Sequence, residues 1–114
     1  MSDCLFCKMV EKKIPAKIVH EDEHLLAFDD IHPQAPVHTL VIPKKHVAAI
    51  QDCGVQDQEL LGKLLLICTK VAKQKGLSET GYRLVANTGR DGGQTVFHLH
   101  FHIMGGRHMA WPPG

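Results

Sequence analysis

The sequence predicts an α+β domain: an antiparallel sheet carrying one long helix, preceded by a short N-terminal helix. Three observations predict it. Apolar residues recur with helical spacing over 56–75, short alternating segments bounded by turn residues flank that helix on both sides, and the last of these segments is apolar on one face and all histidine on the other. The chain has 114 residues, which suits one domain spanning 1–114.

Residues 3–13 read as the short helix, with Asp3 as N-cap and Phe6, Met9 and Val10 on one face. Pro15 is expected to end it. Lys17–His20 and Leu25–Asp29 read as a hairpin around Glu21-Asp22-Glu23. Residues 31–37 hold Pro33 and Pro36 and must be a loop. His38–Ile42 is the next strand, closed by Pro43. In the long helix, Leu61, Leu64, Leu65, Cys68, Val71 and Ala72 share a face opposite Lys63, Lys70, Lys73 and Gln74, and Gly76 is placed to stop it. Tyr82–Asn87 is a strand, Thr88–Gln94 a turn-rich loop, and Thr95–Met104 the final strand before Gly105-Gly106. A lone sheet of this kind leaves open edges, so a dimer is expected.

Composition excludes several classes. Net charge is +1 with neutral histidines, too little for the basic stripe that nucleic acid requires. No run approaches the roughly 18 apolar residues of a membrane helix, and no apolar signal segment opens the chain. The expectation is a cytoplasmic protein in which Cys4, Cys7, Cys53 and Cys68 are reduced thiols.

The chemistry concentrates in Phe97-His98-Leu99-His100-Phe101-His102-Ile103-Met104. On a strand, His98, His100 and His102 project one way, in a row roughly 7 Å apart, and Leu99, Phe101 and Ile103 project into the core. The run admits a histidine-rich surface strand, a zinc site built from the three imidazoles, or nucleophilic catalysis by one imidazole that the others orient. The preceding Gly92-Gly93-Gln94-Thr95 supplies small backbone, an amide and a hydroxyl suited to phosphate oxygens.

His98 to Met104 follows His-φ-His-φ-His-φ-φ, where φ is apolar, and on this motif the chain resembles the histidine triad (HIT) superfamily. Residues 28–38, 40–46, Gly92-Gly93-Gln94 and Gly105-Gly106-Arg107 through Trp111-Pro112-Pro113-Gly114 extend the likeness to its nucleotide-binding branch. That branch comprises purine nucleoside phosphoramidases, and the chain looks less like dinucleoside polyphosphate hydrolases or galactose-1-phosphate uridylyltransferases. The resemblance implies a HIT-like fold with its sheet extended across a homodimer. It also implies hydrolysis of nucleoside phosphoramidates, such as AMP-amine or AMP-lysine, through a nucleotidyl-histidine.

Residue by residue, the resemblance makes His100 the nucleophile and His102 the group that meets the phosphate or the departing amine. A carbonyl or His38 on the other nitrogen of His100 would hold its tautomer. Asn87 and Thr95 would bind phosphate oxygens, Gln94 would lie beside the scissile group, and Asp30 would accept from the ribose hydroxyls. Phe6, Met9, Phe28 and Ile31 would form a purine slot. Plainer readings stand beside these: Asp30 as a cap, Asn87 as a turn residue, and Phe6, Met9 and Phe28 as core. His32 stands where relatives often carry Ser.

Cys4-x-x-Cys7 admits a redox motif, two buried inert thiols, or half of a zinc site. Some relatives with this pair hold structural zinc through two cysteines, the histidine of a Pro-Lys-x-His segment and the first triad histidine. Here those residues are Cys4, Cys7, His46 and His98. Such a zinc would be structural, and catalysis would need no cofactor.

Overall fold

The computed structural model describes residues 3–114. Helix α1 spans Leu5–Val10, followed by strands β1 (Ile18–Glu21), β2 (Leu25–Asp29) and β3 (Val37–Pro43). Two short 3₁₀ turns, Ile50–Asp52 and Val55–Asp57, lead into α2 (Gln58–Gln74). Strand β4 (Tyr82–Val85), a single helical turn α3 (Gly89–Gly92) and strand β5 (Phe101–Gly105) complete the fold. The five strands form one antiparallel sheet in the order β1-β2-β3-β5-β4.

The sheet separates two apolar layers, and alternation along its strands assigns residues to each. Leu25, Ala27, Val41, Phe101 and Ile103 face α2, packing on Leu64, Cys68, Val71 and Ala72. Leu26, Phe28, Leu40 and Ile42 face the other way, onto Phe6 of α1. His38, His100 and His102 belong to this second face: Phe6 packs edge-on to His100 with ring centroids 5.1 Å apart, and His102 pairs with Leu40 across β3 and β5.

Several boundaries differ from expectation. The N-cap of α1 is Cys4, whose Sγ accepts from the Cys7 N–H, and not Asp3. The helix ends at Val10, ahead of Pro15, because Lys12 takes a left-handed backbone (φ 64°). The long helix begins at Gln58, where the buried Asp57 carboxylate accepts from the Gly54 N–H and pairs with Lys45. Leu65 lies outside the packed stripe and is exposed, as is Leu66. At the C-terminal end Gly76 (φ +79°) does stop α2. Its N–H donates to the Lys73 carbonyl and that of Leu77 to the Ala72 carbonyl, which satisfies two of the helix's final acceptors.

The largest difference concerns the last strand. Regular pairing begins at Phe101, so His98 and His100 precede β5 on irregular backbone. The residues still alternate: Leu99 joins the α2 layer while His98 and His100 turn toward α1. The His100 and His102 rings lie closer than a flat strand would set them, with centroids 4.9 Å apart.

Candidate active site

A cavity of about 500 Å³ opens on the α1 face of the sheet. Its floor and walls include Phe6, Met9, Phe28, Asp30, Ile31, His38, Thr95, His100 and His102, so nine of the residues singled out by sequence line one space. This volume suits a small molecule of nucleotide size. Phe6 and Phe28 meet edge-to-face at 5.4 Å, forming an apolar wall, while Ile31 is 81% exposed and stands at the rim. Thr95 is exposed to the cavity mouth.

Hydrogen bonds fix the proton positions on three imidazoles. His100 Nδ1 sits 2.7 Å from the His98 carbonyl oxygen, which only accepts, so Nδ1 donates and Nε2 keeps a lone pair. His38 Nδ1 accepts the Gln34 N–H at 3.0 Å, which leaves the proton of neutral His38 on Nε2. That Nε2–H donates to His102 Nδ1 at 2.8 Å, with the Asp30 carboxylate 3.5 Å away. His102 must then carry its proton on Nε2, a buried atom with no hydrogen-bond partner among the described residues. This donor lines the cavity beside the lone pair of His100, where it can donate to a ligand atom.

Burial keeps these rings neutral. It pushes His38 and His100 below the ordinary imidazole value, with Asp30 opposing the shift in both. It drives His102 down to about 4, with the neighbouring His100 and His38 adding to the effect. The tautomer of His100 is therefore held by the His98 carbonyl, and His38 serves His102 instead. His100 is buried, at 7% exposure, and lines the cavity.

A second cluster lies directly behind the first. Cys4 Sγ and His46 Nδ1 are 3.3 and 3.2 Å from His98 Nδ1, and Cys7 Sγ is 3.3 Å from His46 Nδ1 and 3.6 Å from His98 Nδ1. All four atoms lie within 4.8 Å of one another. His98 Nε2 donates to the Pro43 carbonyl at 2.7 Å, which turns the Nδ1 lone pair into the cluster. A tetrahedral metal with two sulfur and two nitrogen ligands requires donor separations of about 3.3–3.8 Å. The cluster has the donor set and the spacing to hold a metal ion. His98 points here while the His102 ring bonds to His38, so the three triad imidazoles do not converge on a common ion.

The HIT domain matches residues 11–109. The chain belongs to the HIT family. It is 55% identical over 112 residues to an uncharacterized HIT-like protein of Synechococcus elongatus, covering 98% of this chain and 97% of the relative. The crystal structure of a HIT family hydrolase from Legionella pneumophila superposes with a TM-score of 0.97 at 55% identity, over 98% of this chain and all (100%) of the other. A histidine triad protein from Clostridium difficile superposes with a TM-score of 0.93 at 42% identity, over 96% of each chain.

Within this HIT fold, two expected residues sit away from the cavity lining. Asn87 follows β4, half-buried, beside α3. Gln94 is buried and its amide is fully engaged: Oε1 accepts the Gly89 N–H, and Nε2 donates to the carbonyls of Ala48 and Val96. It ties the α3 turn to the segment after β3. Gln34 enters through its backbone N–H, an atom common to nearly every residue type, so no feature of its side chain singles it out. Trp111 is 82% exposed.

Proposed function

We propose that this HIT protein is a purine nucleoside phosphoramidase, hydrolysing AMP- or GMP-type phosphoramidates to the monophosphate through a nucleotidyl-His100 intermediate. One observation carries the reading: His100 Nδ1 is committed to the His98 carbonyl, so Nε2 is the free nucleophile, and the partnerless His102 Nε2–H lies beside it.

The purine would enter the slot of Phe6, Met9, Phe28 and Ile31, with ribose hydroxyls donating to Asp30 and phosphate oxygens near Thr95. His100 Nε2 attacks the α-phosphorus and the phosphorus–nitrogen bond breaks, its electron pair leaving with the amine. His102 Nε2–H donates to the phosphate or the departing nitrogen. A neutral ring that gave up this proton would be left an imidazolate, so His102 acts as a hydrogen-bond donor and the departing amine takes its proton from water. Water then attacks the nucleotidyl-histidine: a phosphorus–oxygen bond forms, the bond to His100 Nε2 breaks with its electron pair returning to the imidazole, and the proton water loses replaces the one the amine took up. Asn87 and Gln94 act in this scheme through the loop that presents Thr95.

The Cys4, Cys7, His46 and His98 cluster would hold zinc as a structural ion. Bound there, zinc would tether α1 to the segment that carries the nucleophile, outside the chemical step. The open edges of β1 and β4 and the exposed Leu65 and Leu66 favour a homodimer. The absence of a basic stripe and of any described helix long and apolar enough to cross a membrane suits a cytoplasmic protein that acts on a small nucleotide.

Rapid acid-free quenching during turnover, followed by mass spectrometry, tests the proposal. A nucleotidyl adduct on the peptide containing His100 is expected. Full turnover with no adduct at any time point would remove the mechanism. Negligible turnover together with no adduct would instead favour the alternative of a nucleotide-binding regulatory or scaffold module with vestigial activity.

A further inference from the structure

The proton placement on His102 depends on the Gln34 N–H, yet Gln34 sits on an exposed loop between Pro33 and Pro36. Such a loop has few backbone donors, and its internal bond, from Gln34 Nε2 to the His32 carbonyl, leaves the Gln34 carbonyl to a partner elsewhere. The anchor comes from the C-terminal segment. Arg107 donates to the Gln34 carbonyl through both Nε (3.3 Å) and Nη2 (3.0 Å), while its Nη1 donates to the His108 carbonyl. The adjacent Gly106 has φ +90°, and a Cβ there would lie 2.8 Å from Pro36 Cβ, so the two segments are packed in direct contact. A forked guanidinium on one carbonyl is a directional, charge-assisted contact that a lysine cannot reproduce.

We propose that Arg107 is a positioning residue for His102: it clamps the Gln34 carbonyl, and the Gln34 N–H in turn fixes which nitrogen of His38, and so of His102, carries the proton. The chain of contacts runs from Arg107 to Gln34, to His38, to His102 Nε2. Without the clamp the loop releases His38 Nδ1. Neutral His38 is then free to carry its proton there and present Nε2 as an acceptor. His102 would answer by protonating Nδ1, leaving a lone pair where the ligand needs a donor.

The tautomers are read in the ligand-free protein by ¹⁵N NMR of the imidazole nitrogens, so this arm is independent of the phosphoramidase reading. The expected wild-type result is His38 and His102 both protonated on Nε2. The expected Arg107→Ala result is a mixed or Nδ1-protonated His102. The kinetic arm rests on that reading: kcat for an AMP-amine substrate falls about 10- to 100-fold with KM changed less than about 2-fold, and Arg107→Lys recovers only part of it. A wild-type His102 protonated on Nδ1, or an Arg107→Ala protein whose His102 tautomer is unchanged, overturns the proposal whatever happens to kcat. If Arg107→Ala does not fold, Arg107→Lys takes its place, with a partial shift toward Nδ1 expected and an unshifted ring overturning the idea. Failure of the functional reading would show separately, as turnover that survives loss of His100.

Discussion

His98 and His100 are joined through one peptide carbonyl. The His98 carbonyl accepts the Nδ1–H of His100 at 2.7 Å, while the His98 side chain turns its own Nδ1 into the Cys4, Cys7 and His46 cluster. A single residue thus sets the tautomer of His100 with its backbone and offers a candidate metal ligand with its ring.

His100→Ala should abolish phosphoramidate turnover while leaving nucleotide binding within about 10-fold of wild type, since Met9, Phe28 and Asp30 keep their places and Phe6 loses only its edge contact with the His100 ring. Turnover assays paired with calorimetric titration of AMP check both halves. Retained turnover would show that another group attacks phosphorus.

Removal of the cluster should act on stability more than on the chemical step. Cys4→Ser with Cys7→Ser, or treatment with a chelator, is expected to lower the melting temperature by roughly 10 °C, the equivalent of about 2 kcal/mol in a domain of this size. Thermal melts against single-turnover rates separate the effects. A chelated protein that keeps its melting temperature but loses all single-turnover activity would contradict a structural role.

Acid should destabilise the fold through His102. Its pKa is lowered to about 4 in the folded chain, mainly by burial, against an ordinary value of 6.5. Between those values the unfolded state binds more protons, so stability rises with pH and is lost as pH falls from about 6.5 toward 4. His38 is shifted in the same direction by burial. Denaturant titrations across that range check the slope, and His102→Gln should flatten it. An unchanged slope in that variant would locate the effect elsewhere.

Gln94→Ala should cost about 2–3 kcal/mol of stability, because it strips partners from the Gly89 N–H and from the Ala48 and Val96 carbonyls in a buried setting. Urea denaturation measures this. Gln94→Glu should be worse still, since it places an acceptor against two carbonyls.

Much of the architecture was legible because it follows from periodicity. Leu99, Phe101 and Ile103 alternate with the histidines, and that pattern alone assigns each to its face of the sheet. Helix α2 announced itself through Leu64, Cys68, Val71 and Ala72, and its end through Gly76. Periodicity also misled at Leu65, which has the right spacing for the stripe but lies on the flank that no element covers. Its limits show at Lys12, whose left-handed backbone ends α1 without any glycine or proline to mark it.

Much of the cavity lining was readable from side chains, as with Phe6, Asp30, Thr95 and His102, although Leu5, Leu40 and Val96 also line it and were not singled out. It was unreadable where backbone atoms do it. The His98 carbonyl and the Gln34 N–H carry no residue-specific signature, and Gln94 could be placed only once Ala48 and Val96 were seen to surround its amide.

The two layers flanking the sheet are unequal partners. The 17 residues of α2 back one side, whereas α1 has six, far too few to persist in water without outside support. What keeps α1 in place is Phe6 against the sheet and the thiols of Cys4 and Cys7 facing His46 and His98. The roof over the cavity consequently rests on few contacts and is expected to detach while the α2 layer stays intact. Amide hydrogens of residues 5–10 will exchange ahead of those in β2 and β3 by a route that never passes through global unfolding.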